Sequence, residues 1–194
     1  MRIAVFSDVQ ANRPAMEACV EHIQGWNPDL VIMAGDLINR GPRSDACLGL
    51  FQDLRQGAGW LPIMGNHEVW VLRCGREPPL DPIDARLRAL ADFTHAQIAD
   101  TEHWLADWPD HLCFEAQRGQ GWVHVTHGTL IGNRDGISAR TRDADLPAKL
   151  PQDVDLFVTA HTHKPLIRHF QGIDILNVGS VGSPFDEDVR ASYG

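Results

Sequence analysis

The sequence predicts an α/β fold, and three observations carry that prediction. Early in the chain, short apolar runs alternate with amphipathic helical stretches, the strand–helix–strand pattern of a parallel sheet. Beyond Pro109 the texture changes to short strands paired about Gly-containing turns. Strand after strand then ends on an Asp, Asn or His, at the edge where open α/β sheets bind ligands.

The stretch RIAVFS (2–7) reads as a first buried strand with Asp8 directly after it. Pro14 suits a helix start, and Met16, Cys19, Val20, Ile23 and Trp26 form a helical apolar stripe that stops at Gly25–Pro28. Val31–Ala34 is a second buried strand. Gly35 ends it, and Asp36 stands at the strand–loop junction with Arg40 four residues on. A helix over Ser44–Arg55 turns Leu48, Leu50, Phe51 and Leu54 inward, and Trp60–Met64 is a third strand running into Gly65-Asn66-His67-Glu68.

A helix is expected from His67 to about Arg73, a surface loop over EPPLDPID (77–84), and a helix over Asp84–Ala99 with Leu87, Leu90, Phe93 and Ile98 as its apolar stripe. Thr101 is the expected N-cap of a short helix to Asp107. His111–Ala116 and Trp122–Thr126 form an antiparallel hairpin about RGQG (118–121), leading to His127-Gly128. In the following loop, Arg134 and Asp135 either touch substrate or are solvated. A short helix near Leu146–Leu150 precedes a strand over Asp155–Ala160, which ends in His161-Thr162-His163. Leu166–Phe170 and Ile173–Val178 close the chain as a second hairpin. Residues 1–194 read as one domain, with the helical block 67–108 inserted into it.

At 194 residues, with 43% hydrophobic and 22% charged residues, the chain is an ordinary globular one, long enough to bury a sizeable core. A net charge of −9 argues against a nucleic-acid or anionic-membrane surface, but metals reverse the local sign of a site, so phosphate substrates are compatible. The four cysteines lack close spacing and read as buried free thiols; with no signal peptide or membrane span in the N-terminal run, a cytoplasmic setting is expected.

Five strand ends carry Asp8 with Gln10, Asp36, Asn66 with His67, His127, and His161 with His163. Oxygen and imidazole donors without a thiolate suit Mn, Fe or Zn in a hydrolytic site better than a structural zinc site. This ordered signature resembles that of the calcineurin-like metallophosphoesterases, most closely the bacterial diadenosine tetraphosphatase and small phosphodiesterase branch, and the likeness continues into NVGSVGSP (177–184). The resemblance implies a four-layer αββα sandwich of two mixed sheets, with two divalent metals about 4 Å apart at one sheet edge. It implies that Asp36 bridges both ions, that Asp8, Gln10 and His163 complete one site, and that Asn66, His127 and His161 complete the other. His67 resembles the catalytic acid that protonates the leaving oxygen, and Arg40 the residue that grips the phosphoryl group.

The implied function is hydrolysis of a phosphodiester or nucleotide phosphoanhydride in a small phosphorylated substrate, by attack of a metal-bridging hydroxide. The alternatives are a phosphomonoesterase or protein phosphatase, or a non-catalytic binding module with a weakened metal site. Gln10 stands where the family usually has His, which tilts the expected metal toward manganese, with Fe, Zn, Mg and Ni as alternatives. Asn39 stands where protein phosphatases have Asp, and neither Asn39 nor Ala160 is a family ligand position. The chain stops at RASYG, where relatives continue into further strands; an edge left open there is one a second copy would cover.

Overall fold

The computed structural model describes residues 1–117, 119 and 121–194. Three parallel strands, β1 (Ile3–Phe6), β2 (Leu30–Met33) and β3 (Leu61–Pro62), form one sheet in that order. A second, five-stranded sheet runs β4 (His111–Glu115), β5 (Trp122–Thr126), β6 (Leu156–Thr159), β8 (Ile173–Asn177), β7 (Leu166–Phe170). It is mixed: β5, β6 and β8 are parallel, while β4 and β7 pair antiparallel at its margins. In the first sheet the antiparallel partner is the tail, whose Gly194 exchanges both backbone hydrogen bonds with Val5 at 2.7 and 2.9 Å. The edge expected to be open belongs to the second sheet, whose outer strands among the described residues are β4 and β7, so the tail's pairing with Val5 does not bear on it.

Strand alternation sorts the core into layers. Val5, Ile32, Ala34 and Ile63 face Val123, Val125, Val158 and Ala160 between the two sheets. The opposite face of the first sheet, Ala4, Phe6, Val31 and Met33, packs on α1 (Arg13–Trp26) and α2 (Ser44–Ala58). Phe6 meets Phe51 and Trp60 edge-to-face at 6.4 and 5.7 Å, arrangements favoured beyond the area they bury. The outer face of the second sheet, Phe157 and Ile175, is covered by Ile137, Leu146 and Leu150, and the helix there is a 3-10 segment, Asp143–Ala148. That segment begins earlier than the helix expected near Leu146–Leu150.

Several boundaries differ from expectation for physical reasons. The third strand has only two ladder residues, because Pro62 has no N–H and Met64 turns its own N–H to Pro109 O at 2.8 Å. Helix α3 spans Asn66–Arg76, and α4 spans Pro82–Ile98 because Asp81 caps it, accepting from Ile83 N and Asp84 N at 2.7 and 2.8 Å. Helix α4 buries Arg88, Ala91, Thr94 and Ile98, so the expected stripe is wrong at Leu87, Leu90 and Phe93, which are exposed. Buried Arg88 donates to Cys74 O and Glu77 O and so satisfies carbonyls at the end of α3. Thr101 does not cap the next turn; its hydroxyl donates to Ile98 O, and Glu102–Leu105 is a 3-10 helix. Cys19, Cys47 and Cys74 are buried free thiols, but Cys113 is exposed. The two hairpins are present, although Arg118 and Gln120 of the RGQG turn lie outside the described residues. Among the described residues, no helix is long and apolar enough to cross a membrane.

Candidate metal centre

Because β1, β2, β3, β5 and β6 run in parallel within their sheets, their C-terminal ends collect at one edge. Asp8, Gln10, Asp36, Asn66, His127 and His163 are buried there, and His161 is half-buried. The backbone is bent to bring them together. Asp8, Gln10, Asp36, Arg40, His161 and His163 all have left-handed φ, between 52° and 64°, a conformation that costs non-glycine residues energy and clusters at functional sites. Neighbouring strands hold the bends: Asp8 N donates to Gly35 O and Gln10 N to Asp36 O, both at 3.0 Å.

The carboxyl-terminal motif braces the same loops. Ser180 Oγ and Gly182 N both donate to Asp8 O, at 2.8 and 2.9 Å. Asn177 Nδ2 donates to Ala160 O and to Thr162 Oγ1, at 2.7 and 3.0 Å, steadying the turn that presents His161.

Two clusters of donor atoms result, and they share one residue. Asp36, His127 and His161 form one, and Asp8, Asp36 and His163 the other, with ligand atoms in each lying within 4.8 Å of one another. The imidazoles are aimed. His127 Nδ1 donates to Ala34 O at 2.8 Å, which leaves Nε2 facing Asp36 Oδ2 at 3.4 Å and Asn66 Oδ1 at 3.1 Å. His163 Nδ1 donates to Ser183 O and presents Nε2 to Asp8 Oδ1 at 3.0 Å. Anchoring one imidazole nitrogen to fix the other is the usual preparation of a metal ligand.

A metal fits this donor set on independent grounds. Gln10 Oε1 and His161 Nδ1 are buried and have no hydrogen-bond partner among the described residues, a costly state that coordination would relieve. Gln10 Nε2 donates to Asp36 Oδ2 at 3.1 Å, so the amide oxygen is the atom left over. Oxygen and imidazole donors of this kind suit hydrolytic divalent metals.

The charges are strongly coupled. Burial works to raise the Asp36 carboxyl, but facing His127 and His67 hold it far below the usual carboxylate range. Burial would likewise lower His127, yet Asp36, seconded by Asp8, holds its imidazole up to about 10. Burial pushes His67 and His161 down.

Glu68 is a residue whose role the sequence reading missed. Its buried carboxylate accepts from Asp36 N at 2.8 Å, Gly65 N at 2.9 Å and Ile38 N at 3.1 Å, tying the Asp36 loop to the start of α3. Standing three residues after the N-cap Gly65, it takes the N-cap N–H as the Glu of a capping box does, although glycine offers no side chain to complete the box. Burial and the Asp36 charge push Glu68 up to about 7. His67, in the first turn of α3, donates its N–H to Asp36 Oδ1 at 2.8 Å, and its ring lies against Trp70 with an interplanar angle of 5°. Arg40 is exposed and lines a cavity of about 440 Å³ together with Gln10 and Ser183. Asp135 is committed elsewhere, to Lys149 and Thr129.

Residues 1–165 match the family model described as calcineurin-like phosphoesterase. The symmetrical bis(5'-nucleosyl)-tetraphosphatase of Mannheimia succiniciproducens is 28% identical over 66% of this chain, a match that spans only 44% of that enzyme. A metallophosphoesterase from Sphaerobacter thermophilus aligns over all of this chain and 82% of its own, at 28% identity and a TM-score of 0.75. An E. coli phosphoesterase, at 22% identity and a TM-score of 0.60 over all of this chain and 87% of its own, shares the fold.

Proposed function

Since the chain belongs to the calcineurin-like phosphoesterase family, we propose that it hydrolyses a phosphodiester or nucleotide phosphoanhydride at a site built for two divalent ions. The observation that carries this reading is the sharing of Asp36 between both donor clusters. In it, Asp36 would serve both ions, with Asp8, Gln10 and His163 available to hold one and Asn66, His127 and His161 the other. The bound ions would supply an acidified water and neutralise charge on the phosphoryl oxygens. Manganese is our first choice, because an amide oxygen at position 10 is a harder donor than imidazole.

The chain's own groups supply the rest. His67 is the candidate general acid. Thr94 Oγ1 donates to Asn39 Oδ1 at 3.1 Å, which leaves Asn39 Nδ2 to donate to His67 Nδ1 at 2.7 Å. The proton of neutral His67 is thereby kept on Nε2, the nitrogen 3.8 Å from Asp36 Oδ2 on the side of the donor clusters. To act as the acid the ring must first be the imidazolium, which gives its Nε2 proton to the leaving oxygen and returns to a neutral imidazole, a contribution of roughly 10²–10⁴ in rate. Arg40, exposed and without an ion-pair partner among the described residues, has a free guanidinium fork for a phosphoryl group. Relatives named as tetraphosphatases support an anhydride substrate.

Metal analysis combined with hydrolysis of bis-p-nitrophenyl and p-nitrophenyl phosphate, with and without added Mn, tests the reading. Bound metal with diester turnover above monoester turnover is expected. No bound metal and no turnover of either ester would refute it.

A further inference from the structure

Helix α3 carries more than the candidate ligand Asn66. Asn66, Val69, Trp70 and Arg73 fall at i, i+3, i+4 and i+7, one face of the helix. With Asn133 and Arg134 from the loop after His127, that face lines a second cavity of about 220 Å³. This cavity begins beside the donor clusters, because Asn66 lines it and Asn66 Oδ1 lies 3.1 Å from His127 Nε2. Its lining is cationic and contains no carboxylate, in a chain of net charge −9.

Neither of its guanidiniums is neutralised by an ion pair among the described residues, and one of them is held. Arg134 lies over the Trp70 ring with its guanidinium carbon 5.1 Å from the centroid, a cation–π contact. The adjacent Asp135 is pinned by Lys149 at 2.5 Å, so the loop is anchored next to Arg134. Among the described residues, neither Arg73 nor Arg134 has an ion-pair partner. Seven residues of helix advance about 10 Å, so Arg73 serves a group beyond the one that meets Asn66.

We infer that Arg73 and Arg134, the latter stacked on Trp70, form a subsite for a phosphate lying beyond the scissile one in a polyphosphate chain. This rests on the phosphoesterase reading above and narrows its substrate class to phosphoanhydrides. Planar guanidiniums suit bidentate phosphate contacts, and a simple diester has nothing to place there.

The test uses the full, Mn-loaded chain and compares a dinucleoside tetraphosphate with bis-p-nitrophenyl phosphate in wild type, Arg73→Ala, Arg134→Ala and the double variant. Each substitution is expected to raise KM for the tetraphosphate about tenfold more than KM for the diester, the scale of one charge-assisted hydrogen bond. Tripolyphosphate should inhibit wild-type diester hydrolysis at least about tenfold more tightly than orthophosphate, and the double variant should lose that preference. Parallel losses on both substrates, or tripolyphosphate no better than orthophosphate, would overturn the inference while leaving the phosphoesterase reading intact. Absence of diester turnover with any metal would count against that reading; the subsite is then judged by calorimetry, where equal tripolyphosphate binding by wild type and double variant overturns it.

Discussion

Asn39 Nδ2 lies 2.7 Å from His67 Nδ1, and the Asn39 amide is held in that sense by the Thr94 hydroxyl from α4. The helical block thus reaches back across 55 residues to fix which nitrogen of His67 carries its proton. Asn39→Ala should lower kcat for an alkyl-leaving substrate roughly tenfold or more, with KM changing far less, because a misaimed acid costs the chemical step. Steady-state kinetics with a p-nitrophenyl ester provides the check. A good leaving group needs little protonation, so its kcat should fall much less; equal losses would mean that Asn39 does not act through His67.

Glu68 should matter to folding as much as any apolar core residue. Its two oxygens accept from three backbone N–H groups, which have no other partner among the described residues. Glu68→Gln turns an NH₂ toward at least one of them and should cost roughly 1–3 kcal/mol. At this chain length that corresponds to a melting point lower by about 2–12 °C, readable by thermal denaturation. A melting point within a degree of wild type would contradict the structure.

Gly65 makes a sharper demand at the same junction. A Cβ placed on it would lie 2.3 Å from both Asp36 N and Asp36 Oδ1. No flexible side chain can yield there, because backbone and candidate ligand would both have to move. Gly65→Ala should abolish metal retention, measured by metal analysis after gel filtration, even where the variant folds.

What was legible in the sequence follows from how each signal arises. The strand ends were readable because a buried strand has an apolar run and a ligand edge has an abrupt polar stop, as at Ala34-Gly35-Asp36. The stripe on α4 was misread because its inward face is chosen by what α3 and Asn39 need, so Arg88 and Thr94 are buried while Leu87 is not. The Thr94–Asn39–His67 relay and the Ser180 bond to Asp8 join residues far apart in the chain, and no local pattern announces them. Glu68 is not legible either, because a glycine N-cap lacks the Ser or Thr that marks a capping box, and two of its partners, Asp36 N and Ile38 N, lie some thirty residues away.

Metal binding should release a proton from His127. In the metal-free chain Asp36 holds this imidazole up to about 10, whereas a coordinating imidazole must be neutral. The sign follows: below that value the proton competes with the metal, so affinity should rise with pH by about tenfold per unit through the neutral range. Calorimetric titration of Mn in buffers of differing ionisation enthalpy would register the released proton. Affinity independent of pH between 6 and 9 would show that His127 does not ligate.

Gln10 decides how firmly one ion is held. Its Oε1 is buried without a partner while its Nε2 is bonded to Asp36, so the amide is oriented for coordination with nothing yet bonded to its oxygen. An amide oxygen is a weaker donor than imidazole for late first-row metals. Gln10→His should therefore tighten binding of the weaker ion, most for Zn and least for Mn, and Gln10→Ala should weaken it by about 10–100-fold. Titrating each variant with Mn and Zn separates the effects, because only a ligand alters metal preference as well as affinity. If both substitutions shift Mn and Zn binding equally, Gln10 only packs beside Asp36, and the metal on that side is held by Asp8, Asp36 and His163 alone.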